Sequence, residues 1–183
     1  MSQAYADARR GEILDGARRA FAEHGYEGAT VARLEEATGL SRGAIFHHFE
    51  NKQDLFVQLA NAESRRYIDL LVEHGIDEMV REMAEASPEW LGVLIEVESR
   101  MRHDADFVRR IEERSSADDR DVLVGWFAAR QEDGTIRADV DALELARFVT
   151  MVLNGLALRV VSGDPTDVRP LLRLLHDALA PRQ

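Results

Sequence analysis

The sequence contains no cysteine. That excludes disulfides, thiolate zinc sites and cysteine nucleophiles, and it fits a reducing compartment. Proline is scarce, at four in 183 residues. No Asn-Gly or Asp-Gly pair separates two strand-like runs, since Asp133-Gly134 lies between helical patterns, so hairpins are not expected. Long apolar runs are missing too. The stretch "FVTMVLNGLALRVVSG" is interrupted by Arg159 and falls short of the roughly 20 residues a membrane span requires. The opening "MSQAYADARRGEIL" lacks the apolar segment of a signal peptide. A soluble, cytoplasmic protein with no membrane partner is the expectation. No Gly-rich phosphate loop and no Ser/His/Asp arrangement is legible, which argues against an enzyme.

Charge is abundant and unevenly placed. The net charge is −11, which by itself disfavours an anionic partner. Residues 1–52 carry seven cationic side chains against eight carboxylates, net −1, whereas the other 131 residues carry 16 against 26, net −10. A near-neutral, arginine-bearing end on an acidic body confines any contact with a polyanion to that end. Lys52 is the one lysine beside 22 arginines.

Hydrophobic spacing indicates an all-α protein of about nine helices. A first helix is expected from about Arg9 to His24, closed by Gly25. Thr30 caps a short second helix, "VARLEEAT", and Gly39 ends it. Ser41 caps a third of about eight residues, "RGAIFHHF". Asn51 with Asp54 starts a fourth in the manner of a capping box. Later helices open at Ser87-Pro88 and at Asp141 with Glu144, and "DVRPLLRLLHDALA" closes the chain. The run 106–133 reads as one helix or two.

Three short helices, the last two joined by "TGLS", form the helix-turn-helix pattern. Eight helical residues span about 12 Å, close to the width of a B-DNA major groove. Ile45 and Phe49 share the core-facing side, leaving Gly43, Ala44 and His47 outward with Phe46 and His48 on the flanks. Such a small-residue surface suits close approach, and Arg42 in the first turn can reach a guanine edge. Ser41 and Thr30, at helix beginnings, suit phosphates. Metal binding by His47 and His48 is disfavoured, because adjacent helical residues lie about 100° apart whereas paired ligands sit four apart.

Residues 12–56, "EILDGARRAFAEHGYEGATVARLEEATGLSRGAIFHHFENKQDLF", resemble the N-terminal domain of the TetR/AcrR transcriptional regulators. "EHGYEGAT" and "SRGAIFHHF", with "WLGVLIEVESRMRHDADF" and "LNGLALRVVSG" further on, are similar to the aconitase-repressor branch of that family. The resemblance implies a helix-turn-helix DNA-binding domain over 8–68 and an effector-binding and dimerisation domain over 69–183. It implies a repressor that binds a palindromic double-stranded operator as a homodimer and is released by a small molecule. The resemblance carries DNA contacts to Arg42, Ala44, Phe46, His48 and Lys52; with the outward and helix-opening residues, the candidate set is Thr30, Arg33, Ser41, Arg42, Gly43, Ala44, Phe46, His47, His48 and Lys52. The family's common tyrosine at the Phe46 position is absent, so a hydroxyl contact to the DNA backbone is lost there.

Two apolar stripes in the last helices are candidates for the dimer interface: Leu145, Phe148, Val149, Val152 and Leu156, then Leu171, Leu172, Leu175 and Leu179. Closure of the chain's own core is the competing reading. Polar residues inside apolar helices, Glu96, Arg100, Arg102, Asn154 and Arg159, are candidates for the effector pocket. A buried Arg159 would require an anion or a carboxylate partner. The branch implies citrate or a related organic acid, with Mg²⁺ only as part of a citrate complex; no other cofactor or metal site is expected. The alternative is an all-α, metal-dependent HD-type phosphohydrolase, on the strength of His103-Asp104, Asp106 and His176-Asp177.

Overall fold

The computed structural model describes residues 3–101, 104–105, 108–109, 117–164 and 167–182, with side chains from Tyr5 onward except those of 96–101 and 117–118. Among the described residues there are helices and no strands. In chain order they are α1 (Gln3–Gly28), α2 (Val31–Thr38), α3 (Arg42–Ile45), α4 (Lys52–His74), α5 (Ile76–Ala84), α6 (Pro88–Met101), α7 (Ala117–Glu132), α8 (Ala142–Val161) and α9 (Val168–Leu179). None is long and apolar enough to cross a membrane, among the described residues.

Two compact units divide the chain. One takes Met1–Glu63 with Glu89–Arg114, the other Ser64–Pro88 with Ser115–Gln183. In the first, Gly25 interrupts α1 in the left-handed region, φ +69°, a conformation that costs glycine little. Tyr26 then turns back onto Phe21 and Phe56, with ring centroids 5.8 and 5.1 Å away. Ile13, Ala17, Phe21, Leu34, Ile45, Phe49 and Phe56 close one apolar core, joined from α6 by Trp90 and Val93. α1 and α2 meet closely at Gly16. A Cβ there would lie 2.6 Å from Thr38 Cγ2 and 2.9 Å from Thr38 Cα.

The starts of α2, α3 and α4 follow the sequence expectation, whereas α1 begins at Gln3, ahead of the expected start near Arg9. The Ser41 hydroxyl accepts the Ala44 N–H at 3.4 Å, and Thr30 accepts that of Arg33 at a long 3.5 Å. Asn51 accepts the Asp54 N–H at 2.9 Å. Asp54, buried at 6 % exposure, returns a bond to the Glu50 N–H at 2.7 Å and takes the Gln58 amide at 2.6 Å. The third helix departs from expectation. It ends at Ile45, four residues in all, and turns follow. The His48 N–H reaches back three residues to the Ile45 carbonyl at 3.1 Å, tightening the path that carries Phe49 into the core.

In the second unit, the Ser64–His74 part of α4 is fixed by ion pairs from Arg65 to Asp119 (3.0 Å) and from Arg66 to Glu82 (3.6 Å). α5, α8 and α9 pack around Met79, Val80, Val149, Leu156 and Leu175. The loop after α7 is tied down by Gln131, whose amide donates to the Arg137 and Val140 carbonyls. Arg137 in turn caps α9: its N–H donates to the Leu179 carbonyl at 2.8 Å and its guanidinium to Ala178 at 3.1 Å.

Candidate nucleic-acid interface

The expected contact residues lie at the N-cap of α2, on α2, along the α3 segment and the turns after it, and at the start of α4. Arg42 is exposed, and among the described residues its guanidinium has no hydrogen-bond or ion-pair partner. Gly43 is exposed beside it, and a Cβ on it would meet nothing within 4 Å. Ala44 is half-buried, and His47 is exposed with its ring 5.4 Å from that of His48. The result is a low-relief surface with one free cation, suited to close approach by a groove floor.

Several of the expected groups are already engaged within the chain. The Arg33 guanidinium donates to the Gly28 carbonyl at 2.8 Å. Lys52 donates to the Tyr26 carbonyl at 2.9 Å and sits 4.7 Å from the centre of that ring. Thr30 and Ser41 hydroxyls cap helices, as above. Phe46 is half-buried and packs against the core. Two of the amides beginning α3 are already engaged: Glu35 Oε1 accepts the Arg42 N–H at 2.6 Å and the Ser41 hydroxyl that of Ala44. Sequence reasoning missed Glu35; it sits in a polar stretch, and only the turn at Gly39, φ +68°, brings it onto Arg42.

In the second unit two expectations need correction. Leu145, Val149, Leu156, Leu172, Leu175 and Leu179 are between 1 and 8 % exposed. They form this chain's own core and are unavailable to a partner, while Val152 and Leu171 are half-buried. Of the expected stripe Phe148 stays open at 36 % exposure, and with Met151 and Leu158 it makes an exposed apolar face of α8, while Leu174 of α9 is 67 % exposed. Arg159 is not buried. Its side chain is 55 % exposed and pairs with Asp164 at 2.5 Å, just past the end of α8, so burial creates no demand for a bound anion. Asn154 is likewise exposed and so does not lie inside the helical core. Glu96 and Arg100 lie in α6 with side chains outside the described set, and Arg102 lies outside the described residues.

Nothing metal-like assembles in what is described. Among those residues no three His, Asp or Glu side chains converge. His176 pairs instead with Asp77 at 2.6 Å, while His103 and Asp106 lie outside the described residues.

Residues 13–59 match the sequence family described as bacterial regulatory proteins, tetR family. The HTH-type transcriptional repressor AcnR of Corynebacterium diphtheriae is 42 % identical over 180 residues, covering 96 % of this chain and 93 % of that protein. The chain belongs to the TetR family. The HTH-type transcriptional repressor Rv1474c of Mycobacterium tuberculosis is 38 % identical, covering 98 % of this chain and 97 % of that one. The fold agrees with a TetR-family regulator from Rhodococcus, at a TM-score of 0.74 and 21 % identity over 93 % of this chain and 97 % of that one. It also agrees with Salmonella enterica GusR, at 0.71 and 23 % over 94 % and 95 %. Within the TetR family the chain falls in the aconitase-repressor branch, with the proteins named AcnR. It is a DNA-binding transcriptional repressor and not an enzyme.

Proposed function

We propose that the segment from Arg42 to His48 enters the major groove as one half of a two-fold pair, with residues 8–68 as the DNA-binding part and 69–183 as the effector-binding and dimerisation part. The observation that carries the reading is the free, exposed Arg42 guanidinium next to Gly43, whose missing side chain no neighbour in the fold requires. A glycine in a helix is costly unless something must come close. Arg42 supplies a base contact; Lys52 and Arg33, tethered to carbonyls, present their remaining charge to the DNA backbone. Acting on DNA, the repressor works in the cytoplasm.

The second copy docks on Phe148, Met151 and Leu158 of α8 and on Leu174 of α9. Gly155 supports this arrangement: it shares that face, and a Cβ on it would meet nothing within 4 Å, so a partner helix can approach its backbone. Two recognition segments about 34 Å apart read adjacent turns of a palindrome. A small organic acid, citrate or a relative with or without Mg²⁺, shifts the dimer to a pose with the wrong spacing. Glu96, Arg100 and Arg102 of this chain are the candidate contacts. A tenfold loss of operator affinity requires about 1.4 kcal/mol of differential binding.

Footprinting on the DNA upstream of the protein's own gene tests the proposal. Two protected half-sites about one turn apart, lost steeply as salt rises and lost on addition of citrate with Mg²⁺, are expected. Salt-insensitive or absent protection would remove the operator reading, and protection indifferent to organic acids would remove the effector.

A further inference from the structure

Glu35 is a carboxylate on a face that must meet a polyanion. Its Oε1 accepts the Arg42 N–H at 2.6 Å across the turn, while its own carbonyl accepts the Gly39 N–H at 2.9 Å. A hydrogen bond to an ionised acceptor is stronger than a neutral one, so Glu35 fixes the backbone from which the Arg42 side chain departs. Its second oxygen, Oε2, has no hydrogen-bond or ion-pair partner among the described residues.

The two kinds of DNA complex treat this carboxylate differently. Non-specific binding rests on phosphates, and a fixed negative charge beside the contact surface weakens it. A correctly seated complex adds base edges, and the cytosine amino group is a donor that a glutamate oxygen accepts. The cost of the charge is therefore recovered only where the groove offers such a donor. We propose that Glu35 is a specificity-determining residue, which positions Arg42 through its amide, discourages binding to phosphates alone, and accepts from a cytosine amine in the operator. This inference rests on the groove-entry reading of α3 given above.

The test compares the full-length protein with Glu35→Gln and Glu35→Ala on two duplexes, the footprinted upstream fragment and poly(dA–dT), which has no cytosine. Glutamine keeps the acceptor for the Arg42 N–H and removes the charge. Glu35→Gln is expected to melt within a degree or two of wild type. It should bind poly(dA–dT) about three- to fivefold more tightly, the effect of one unit charge at a few ångströms in water, and should discriminate less between the two duplexes. Glu35→Ala should show the same gain on poly(dA–dT) with a lower melting temperature. Equal binding by wild type and Glu35→Gln on both duplexes overturns the inference, as does an equal loss on both, which would reduce Glu35 to a brace. A wild type that does not distinguish the fragment from poly(dA–dT) overturns the groove-entry reading, and this inference with it.

Discussion

The Lys52 ammonium lies 2.9 Å from the Tyr26 carbonyl and 4.7 Å from the centre of the Tyr26 ring. A second carbonyl, that of Glu27, stands at 3.4 Å. The lysine thus joins the beginning of α4 to the end of α1, on the strand of chain that leads into the helix-turn-helix. Lys52→Met keeps the apolar stem and loses the donors. It should lower the unfolding free energy by about 1–2 kcal/mol, measured by urea denaturation, and weaken operator binding by more than that loss explains. A variant as stable as wild type would remove the bracing role.

Three glycines separate packing from access. Gly16→Ala drives a methyl into the Thr38 backbone and should cost about 1–3 kcal/mol together with DNA binding. Gly43→Ala meets open space, so stability should hold or rise by up to about 1 kcal/mol while operator affinity falls. Gly155→Leu should leave the fold intact and disturb self-association. Thermal melts alongside DNA titrations distinguish the three; a Gly43→Ala protein that binds as wild type does would refute the close-approach argument.

A charge on the open face of α8 should separate the copies. Met151→Glu and Leu158→Glu, at residues 66 and 54 % exposed, are expected to sediment as folded monomers and to lose operator binding. Wild type sedimenting as a monomer at micromolar concentration would place the partner surface elsewhere.

Asp167 gives the last helix an acid-sensitive cap. Its carboxylate accepts from the Arg169 guanidinium and then from the Arg169 N–H, which hold it down to about 2 from an ordinary 3.8. A carboxyl whose folded value is depressed contributes its stability above the unfolded value and loses it as pH falls through the folded one. The contribution is therefore complete above about pH 4 and fades toward pH 2. Asp167→Asn should flatten the stability profile in that window, with a modestly lower thermal midpoint than wild type at neutral pH and a difference that vanishes toward pH 2, read by acid titration of the thermal midpoint.

What was legible in the chain was local. Thr30, Ser41, Asn51 and Asp141 act within three residues of themselves, and Gly39 closes α2 in the left-handed conformation its position demands. What escaped was tertiary. Glu35 reaches an amide seven residues on only because of the turn between them. α8 is apolar nearly all round, so its spacing named the helix but not which side faces its own core; Leu145 and Val149 went inward and Met151 stayed out. Arg159 reads as a buried interruption in "LALRVVSG", yet it lies near the helix end, within reach of Asp164 beyond it. The eight-residue third helix failed for a similar reason, because Phe49 must return to the core and the tighter turn at His48 achieves it.

Trp90, 1 % exposed, comes from α6, yet its ring lies 6.2 Å from Phe56 in the core beneath the helix-turn-helix. An excised fragment ending near Glu63 would expose Phe56 where the indole belongs. Chimeric regulators that graft this reading head onto another body must carry the residues around Trp90 with it, so the head is portable only as two separate pieces of chain.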